Sequence, residues 1–390
     1  MVSPRLAPFG ASIFTEMTAL ANQHGAINLS QGFPDFEGPP EIVEAAVAAL
    51  RAGHNQYARS MGRPELVAAI AAKVRRHYGL DFDPLTEVTV GCGATEMIAA
   101  SLLGLLGPGD EVVLFEPYYD SYPAVVAMAG GAVRCCTLRF PDFALDLDAL
   151  ARCFTRRTRA LVLNTPHNPT GKVFTAAELD AIASLCRAHD VVVIADEVYE
   201  HLTFDGHVHV PMAARPGMRD RTLTISSTGK TYSLTGWKIG WAVGPAPLVA
   251  AAQAAHQFLT LCPATPLQVA MATALERLDA DYFDAFRADY TARRDQLMAG
   301  LTAAGFRVAA PAGTYFVLAD FRALSDADDR AFARELIETA GVAAIPPSGF
   351  YRDTRDEGAR LLRFAFCKRP ETLAAACERL RGVGSGGRDR

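Results

Sequence analysis

The chain has 390 residues, of which 50% are hydrophobic and 21% are charged, and its formal net charge is −5 at pH 7. This balance gives no electrostatic reason to expect nucleic acid or an anionic membrane as a partner, and favours chemistry on small molecules. No uninterrupted apolar run reaches the roughly 20 residues of a membrane helix and the N-terminus lacks the apolar core of a signal peptide, so a cytoplasmic, two-lobed protein is expected.

The first part of the chain, residues 1–45, contains a predicted helix and then a segment rich in glycine and proline. Residues 46–284 are predicted to form a large domain, because short apolar segments alternate there with helical ones. The apolar segments are EVTVG (87–91), DEVVLF (110–115), AVRCCTL (132–138), RALVLNTP (159–166), VVVIADE (191–197), TLTISS (222–227) and KIGWAVG (238–244). This alternation indicates an α/β fold with a mostly parallel seven-stranded sheet covered by helices.

From about residue 285 the pattern changes to a long helix, several short strands and a final helix. Residues 285–382 are therefore predicted to form a smaller α+β domain, with residues 1–45 packed beside it. The large domain would then be an insertion between two parts of the small one. The glycine-rich tail, residues 383–390, is predicted to be disordered.

Cysteine and histidine spacings argue against a metal site. The eight cysteines include no Cys-x-x-Cys pair, and the two closely spaced histidines, His207 and His209, have no third ligand nearby in the sequence. Reduced thiols, a polar loop around the two histidines and no bound metal are expected.

A glycine-rich turn, GCGATEM, follows the first predicted strand and leads into a helix. Free backbone N–H groups at such a helix start can bind an anion, and Ala94 and Thr95 are the candidate donors. The turn departs from the dinucleotide fingerprint because Glu96 stands where the final glycine would fall, so a nicotinamide cofactor is disfavoured.

Polar residues also follow the fourth, fifth and sixth predicted strands. Asn168 lies just beyond the fourth, and Asp196 ends the fifth, where a buried carboxylate requires a cation or hydrogen-bond donors. Lys230 and Lys238 follow the sixth strand in a mostly uncharged stretch. One lysine can carry a Schiff base there while the other neutralises a phosphate. Because active sites of open α/β sheets lie at the carboxyl ends of strands, these residues are the leading candidates.

Four motifs in order, LNTPHNPTG, IADEVYE, SSTGKTYSLTGWKIGW and LLRFAF, resemble those of class I aminotransferases of the fold-type I pyridoxal-phosphate superfamily. The resemblance extends from about residue 13 to residue 380. Further segments, including SQGFPDF, NQYARSMG and HQFLTLC, look most like the kynurenine, glutamine and methionine aminotransferase branch. The resemblance implies pyridoxal 5′-phosphate as cofactor and amino-group transfer between an amino acid and a 2-oxo acid.

The resemblance also implies roles for the strand-end residues. Lys230 would form the Schiff base and then move the proton between the substrate Cα and the cofactor C4′. Asp196 would hold the proton on the pyridine nitrogen, since a carboxylate favours the charged ring. Asn168 and Tyr199 would hydrogen-bond the phenolic oxygen, and Tyr119 would stack on the ring.

For the cofactor phosphate, the resemblance implies the backbone of Ala94 and Thr95, together with Ser227 and Lys238. Tyr57 resembles the tyrosine that reaches this phosphate from the partner subunit in the family. A homodimer with shared active sites is therefore expected.

For the substrate, the resemblance implies that Arg363 binds the α-carboxylate through its bidentate fork. The backbone of Gly32 and the side chain of Asn168 would complete this pocket, and Phe14 would line it. The sequence contains no recognisable arginine dedicated to a second carboxylate on the substrate side chain. Arg59 is the nearest candidate, and the direction of its side chain is open. Neutral amino acids such as methionine, glutamine, aromatic residues or kynurenine are therefore favoured.

Two alternatives remain at the level of the sequence. The same carbanion chemistry can expel a β-substituent, which would make the protein a cysteine-S-conjugate β-lyase. A non-enzymatic binding module on this scaffold is disfavoured because Lys230 is present.

Overall fold

A computed structural model describes residues 2–10, 12–278 and 280–383. Within these ranges the strands are β1 (Ile27–Asn28), β2 (Val88–Gly91), β3 (Glu111–Glu116), β4 (Ala132–Thr137), β5 (Thr158–Asn164), β6 (Val192–Asp196), β7 (Thr222–Ser227), β8 (Gly240–Val243), β9 (Arg307–Val308), β10 (Phe316–Asp320), β11 (Val342–Ala343) and β12 (Leu361–Ala365). The α-helices are α1 (Ile13–His24), α2 (Pro40–Arg51), α3 (Pro64–Tyr78), α4 (Gly93–Leu105), α5 (Ser121–Met128), α6 (Leu147–Cys153), α7 (Ala176–Ala188), α8 (Thr228–Thr231), α9 (Ala246–Leu259), α10 (Thr265–Arg277), α11 (Ala280–Ala303), α12 (Asp329–Glu335) and α13 (Pro370–Leu380). The predicted disordered tail lies outside the described residues except for Val383.

The seven predicted strands form one sheet, in the order β2-β8-β7-β6-β5-β3-β4. Strand β8 runs antiparallel to both of its neighbours, and the other adjacent pairs are parallel. Every residue of β3 is buried, as expected where helices cover both faces of a parallel sheet. The prediction of an α/β fold with a mostly parallel seven-stranded sheet is confirmed.

The C-terminal part forms a second, antiparallel sheet in the order β12-β10-β9. Strand β1 pairs in parallel with β11, so the N-terminal segment joins this part of the molecule. Side chains of α1, including Met17 and Ala21, lie in the same apolar cluster as Phe332 and Leu373. These contacts support the predicted domain division at residues 45 and 284, which we retain as a proposal.

Strands β8 and β10 each begin two residues after a residue in the left-handed backbone region, which makes β8 shorter than the predicted segment 238–244. Lys238 has φ = 55° and Thr314 has φ = 66°, and both values fall in the left-handed region. A strand cannot continue through that conformation, so β8 begins at Gly240 and β10 at Phe316. The reversal at Lys238 also turns its side chain back towards the start of α4.

Candidate active site

A cavity of about 410 Å³ lies at the carboxyl ends of the central strands and is closed on the other side by the N-terminal segment, β10 and β12. This volume is within the usual range for cofactor and small-molecule sites. All of the predicted site residues except Tyr57 line it, namely Phe14, Gly32, Ala94, Thr95, Tyr119, Asn168, Asp196, Tyr199, Ser227, Lys230, Lys238 and Arg363. Tyr57 is 86% exposed in the single chain and does not line the cavity.

Lys230 lies in α8, the single turn that directly follows β7. Its Nζ donates hydrogen bonds to the Tyr315 hydroxyl at 2.7 Å and, more weakly, to the Gly32 carbonyl oxygen at 3.4 Å. The pKa of Lys230 is lowered from its usual 10.5 to about 8, mainly by burial; the cations Arg363 and Lys238 act in the same direction, and Asp196 opposes them. An amine with this pKa can become a neutral nucleophile or base near physiological pH.

Asp196 ends β6 and is 5% exposed. The Tyr122 hydroxyl donates to Asp196 Oδ2 at 2.6 Å, and the backbone N–H of Val198 contacts Oδ1 at 3.4 Å. Burial raises the pKa of Asp196 to about 6, although both hydrogen bonds favour the ionised form. A buried carboxylate of this kind gains stability from a cation placed against it, which is what a protonated ring nitrogen supplies.

Arg363 projects from β12 and is 2% exposed. It donates from Nη1 to Asn168 Oδ1 at 3.1 Å and from Nη2 to the Ser30 carbonyl oxygen at 2.9 Å, while its Nε has no hydrogen-bond partner among the residues that the structure describes. The rings of Phe14 and Phe316 lie 5.0 and 4.1 Å from its guanidinium carbon.

Burial lowers the pKa of Arg363 to about 10, because the charged form is poorly solvated at this position. Among the described residues, no carboxylate lies within 4.0 Å of its nitrogen atoms. A buried guanidinium without a partner anion is costly, so the site fits a substrate carboxylate.

The start of α4 forms a cradle for an anion. Gly93 has φ = 80°, and a Cβ added there would lie 3.3 Å from Lys238 Nζ, so the glycine leaves room for the lysine amine. Ala94 and Thr95 follow in the first turn, where backbone N–H groups lack intrahelical acceptors. Ser227 closes the cradle at the end of β7. Positive charge and free N–H groups together fit the phosphate of pyridoxal phosphate.

Two residues that contact the site, Tyr122 and Tyr315, were not predicted from the sequence. Tyr122 lies within FEPYYDSY, but nothing in that segment indicates that its hydroxyl reaches Asp196, which is 74 residues further along the chain. Tyr315 lies in an apolar segment, GTYFVLAD, and reads there as a core residue. Both contacts are long-range, so residue spacing carries no signal for them.

The residues around this cavity fit an aldehyde cofactor that carries a phosphate and a basic ring nitrogen, beside a pocket that fits a carboxylate. The family model for aminotransferase class I and II matches residues 24–380 of this chain. The chain is 52% identical to a protein of Mycobacterium tuberculosis named probable N-succinyldiaminopimelate aminotransferase, over 97% of this chain and 98% of the relative. It is 43% identical to the methionine aminotransferase of Escherichia coli, over 97% of each chain.

The solved structure of N-succinyldiaminopimelate aminotransferase from Mycobacterium tuberculosis superimposes with a TM-score of 0.95, covering 98% of this chain and 100% of that one. The chain belongs to the class I and II aminotransferase family and has the fold-type I architecture. It is a pyridoxal-phosphate-dependent aminotransferase of the branch that includes methionine and kynurenine aminotransferases. The predictions of family, fold, cofactor and amino-group transfer are confirmed.

Proposed function

We propose that the enzyme transfers the amino group of a neutral L-amino acid, with methionine as the reference donor, to a 2-oxo acid. The main support is the small set of cationic side chains that line the cavity. Among its described lining residues the cationic side chains are Lys230, Lys238 and Arg363. Lys230, Lys238 and Arg363 would be taken up by the cofactor aldehyde, its phosphate and the substrate α-carboxylate, so a substrate side chain would meet mainly aromatic and small residues.

The proposed chemistry assigns one task to each polar group. Pyridoxal phosphate, when bound, takes up the electrons that remain on the substrate Cα when its proton leaves. Lys230 Nζ moves that proton from Cα to C4′ of the cofactor. Asp196 keeps the ring nitrogen protonated, and Tyr122 holds the Asp196 carboxylate in place through its 2.6 Å hydrogen bond.

The remaining groups orient the reacting atoms. Asn168 and Tyr199 would bind the phenolic oxygen of the cofactor, and Tyr119 would hold its ring; all three line the cavity. Arg363 fixes the substrate through its carboxylate, and its 3.1 Å bond to Asn168 couples the carboxylate pocket to the cofactor pocket. Orientation of this kind increases the rate of proton transfer, because the Cα–H bond must point towards the amine that removes its proton.

The phosphate cradle completes the cofactor site. The backbone of Ala94 and Thr95, the Ser227 hydroxyl and the Lys238 amine bind the phosphate. On the substrate side, Gly32 and Phe14 close the pocket around the carboxylate and the side chain. Both line the same cavity as Lys230.

We also propose that the enzyme acts as a homodimer in the cytoplasm, with Tyr57 completing the phosphate site of the neighbouring subunit. Tyr57 and Phe258 are each 86% exposed and Leu261 is 41% exposed, so these large side chains are available to pack against a second subunit. The eight cysteines are all unpaired, as is usual in a reducing compartment. Light scattering on the purified protein tests the dimer, and Tyr57→Ala tests the shared site through weaker retention of cofactor.

A donor panel on the purified holoenzyme tests the substrate. Single-turnover conversion of the cofactor absorbance is measured with methionine, glutamine, phenylalanine, kynurenine, glutamate and N-succinyldiaminopimelate. We expect the largest kcat/KM with a neutral donor and no conversion by Lys230→Ala. A kcat/KM at least tenfold higher for N-succinyldiaminopimelate or glutamate would contradict the proposal, and would direct attention to Arg59 as a binder of the second carboxylate.

The same preparation tests the lyase alternative. An S-substituted cysteine is supplied without any oxo acid, and pyruvate and ammonia are measured. Transamination predicts a single turnover that stops when the cofactor is converted. Continuous release of pyruvate faster than transamination of methionine would establish β-elimination as the main activity.

A further inference from the structure

Tyr315 connects three separate parts of the chain at the active site. It directly precedes β10, and its side chain is 0% exposed. Its hydroxyl oxygen lies 2.7 Å from Lys230 Nζ and 2.6 Å from the carbonyl oxygen of Gly32. A single buried hydroxyl therefore contacts the catalytic amine and the wall of the substrate pocket.

The direction of each hydrogen bond follows from the atoms involved. A tyrosine hydroxyl has one hydrogen, and a carbonyl oxygen can only accept, so Tyr315 donates to Gly32. Its oxygen then acts as acceptor towards Lys230, which must donate an N–H. The ring of Tyr199 packs edge-on against the ring of Tyr315, with the two centroids 5.2 Å apart, so both rings lie beside the amine.

The direction of these hydrogen bonds has a chemical consequence for Lys230. If Tyr315 donated its hydrogen to the amine, it would occupy the lone pair that attacks an aldehyde or removes a proton. Because the hydrogen is already used on Gly32, a neutral Lys230 is held through N–H and keeps its lone pair free. The ring of Tyr315 lies 5.3 Å from Nζ and the ring of Tyr199 lies 5.7 Å from it, which restricts where that lone pair can point.

We infer that Tyr315 is a positioning residue for Lys230, holding the amine by an N–H···O bond whenever it is not bonded to the cofactor and leaving its lone pair free for proton transfer. The inference rests on the proposed role of Lys230 as the proton-transfer base. It assigns a function to a side chain that does not itself line the cavity.

The electrostatics of the site agree with this role. Burial lowers the pKa of Lys230 to about 8, so a useful fraction of the amine is neutral near physiological pH. Burial also raises the pKa of Tyr315 well above its usual value, and the hydroxyl keeps its hydrogen across the working range.

The test uses Tyr315→Phe, which removes one oxygen and preserves the ring. The matched control is Tyr290→Phe, because Tyr290 is 1% exposed and its ring stacks on that of Tyr315 at 6.1 Å between centroids. We expect Tyr315→Phe to slow the methionine half-reaction by about 10- to 100-fold, less than the roughly 10²- to 10⁴-fold that the positioned base itself contributes, because the base remains. Deuterium at the methionine Cα should slow this variant more than wild type, and the control should behave as wild type.

Repeating the Tyr315→Phe change in the Lys230→Ala variant separates loss of positioning from general structural damage. In Lys230→Ala, added methylamine supplies a free base that Tyr315 does not hold. Tyr315→Phe should therefore change the rescued rate by less than about twofold, although it slows the enzyme that retains Lys230. An equal loss in both backgrounds, or an equal loss in the Tyr290→Phe control, would overturn the inference.

A measurement on the cofactor-free protein completes the test. Uptake of pyridoxal phosphate onto Lys230 is followed by absorbance and by mass spectrometry after borohydride reduction. We expect uptake by Tyr315→Phe to be about tenfold slower than in wild type, and an unchanged rate would count against the inference. If Lys230→Ala retained the wild-type half-reaction without methylamine, the proposed role of Lys230 would fail instead, so the two failures are distinguishable.

Discussion

The strongest stability prediction concerns a buried ion pair behind the cofactor site. Lys73 of α3 and Glu200 are 3% and 6% exposed and form a salt bridge. The Tyr78 hydroxyl and the Ser226 hydroxyl also donate to the Glu200 carboxylate. Glu200 follows Tyr199 directly in the chain, so this cluster anchors the turn that presents Tyr199 to the cavity.

Replacing Lys73 with methionine keeps the packing volume and leaves Glu200 buried without its cation. Breaking a buried pair in this way costs roughly 3–5 kcal/mol. Burial raises the pKa of Glu200, but Lys73 and the hydrogen bonds lower it more, and the net value lies below the usual 4.5. The wild type should therefore hold this stability above about pH 4.5 and lose it as the pH falls further, whereas Lys73→Met should lose less.

Urea unfolding followed by circular dichroism measures the effect, with cofactor retention as a second readout. The matched control is Arg75→Ala on the same helix, because Arg75 pairs with Asp81 at 3.2 Å while both side chains are about three-quarters exposed. That change should cost at most about 1 kcal/mol. The double variant Lys73→Met with Glu200→Gln should recover part of the loss. A cost for Lys73→Met no larger than that of the Arg75→Ala control would refute the reasoning.

Three further predictions concern the active site. Arg363→Lys should lower kcat/KM for every amino acid donor by about 30-fold or more, since losing a buried, hydrogen-bonded charge partner costs roughly 2–5 kcal/mol; normal cofactor absorbance checks the fold, and an unchanged kcat/KM would contradict the carboxylate role. Asp196→Asn should slow the half-reaction by about 10²–10³-fold, whereas Glu197→Gln, a neighbouring carboxylate outside the cavity, should have little effect on single-turnover rates. In the cofactor-free protein, reaction of Lys230 with an aldehyde reagent should rise through a midpoint near pH 8, because burial lowers its pKa; a midpoint near 10.5 would show an ordinary, solvated lysine.

Much of the cofactor site could be predicted from the sequence, because its residues follow strands that are recognisable by their apolar pattern. Asp196 ends such a strand, Asn168 and Lys230 follow others by a few residues, and parallel strands bring their carboxyl ends to one edge of the sheet. The local pattern that indicates the strand thus also indicates where its following residue lies. The motif spacings added the family and, with it, the cofactor.

The sequence by itself therefore determined the fold class, the cofactor and the residues at the strand ends, since apolar periodicity and motif order are local properties. Only the tertiary structure decided that Tyr315 holds Lys230, that Tyr122 supports Asp196, and that Arg363 bonds Asn168 across 195 positions of the chain. These contacts join segments that are far apart in sequence, and hydrogen bonds of this kind are selected by packing of the whole chain. Spacing does not encode them, so they became visible only when the strands, the N-terminal segment and the C-terminal sheet were assembled around one cavity.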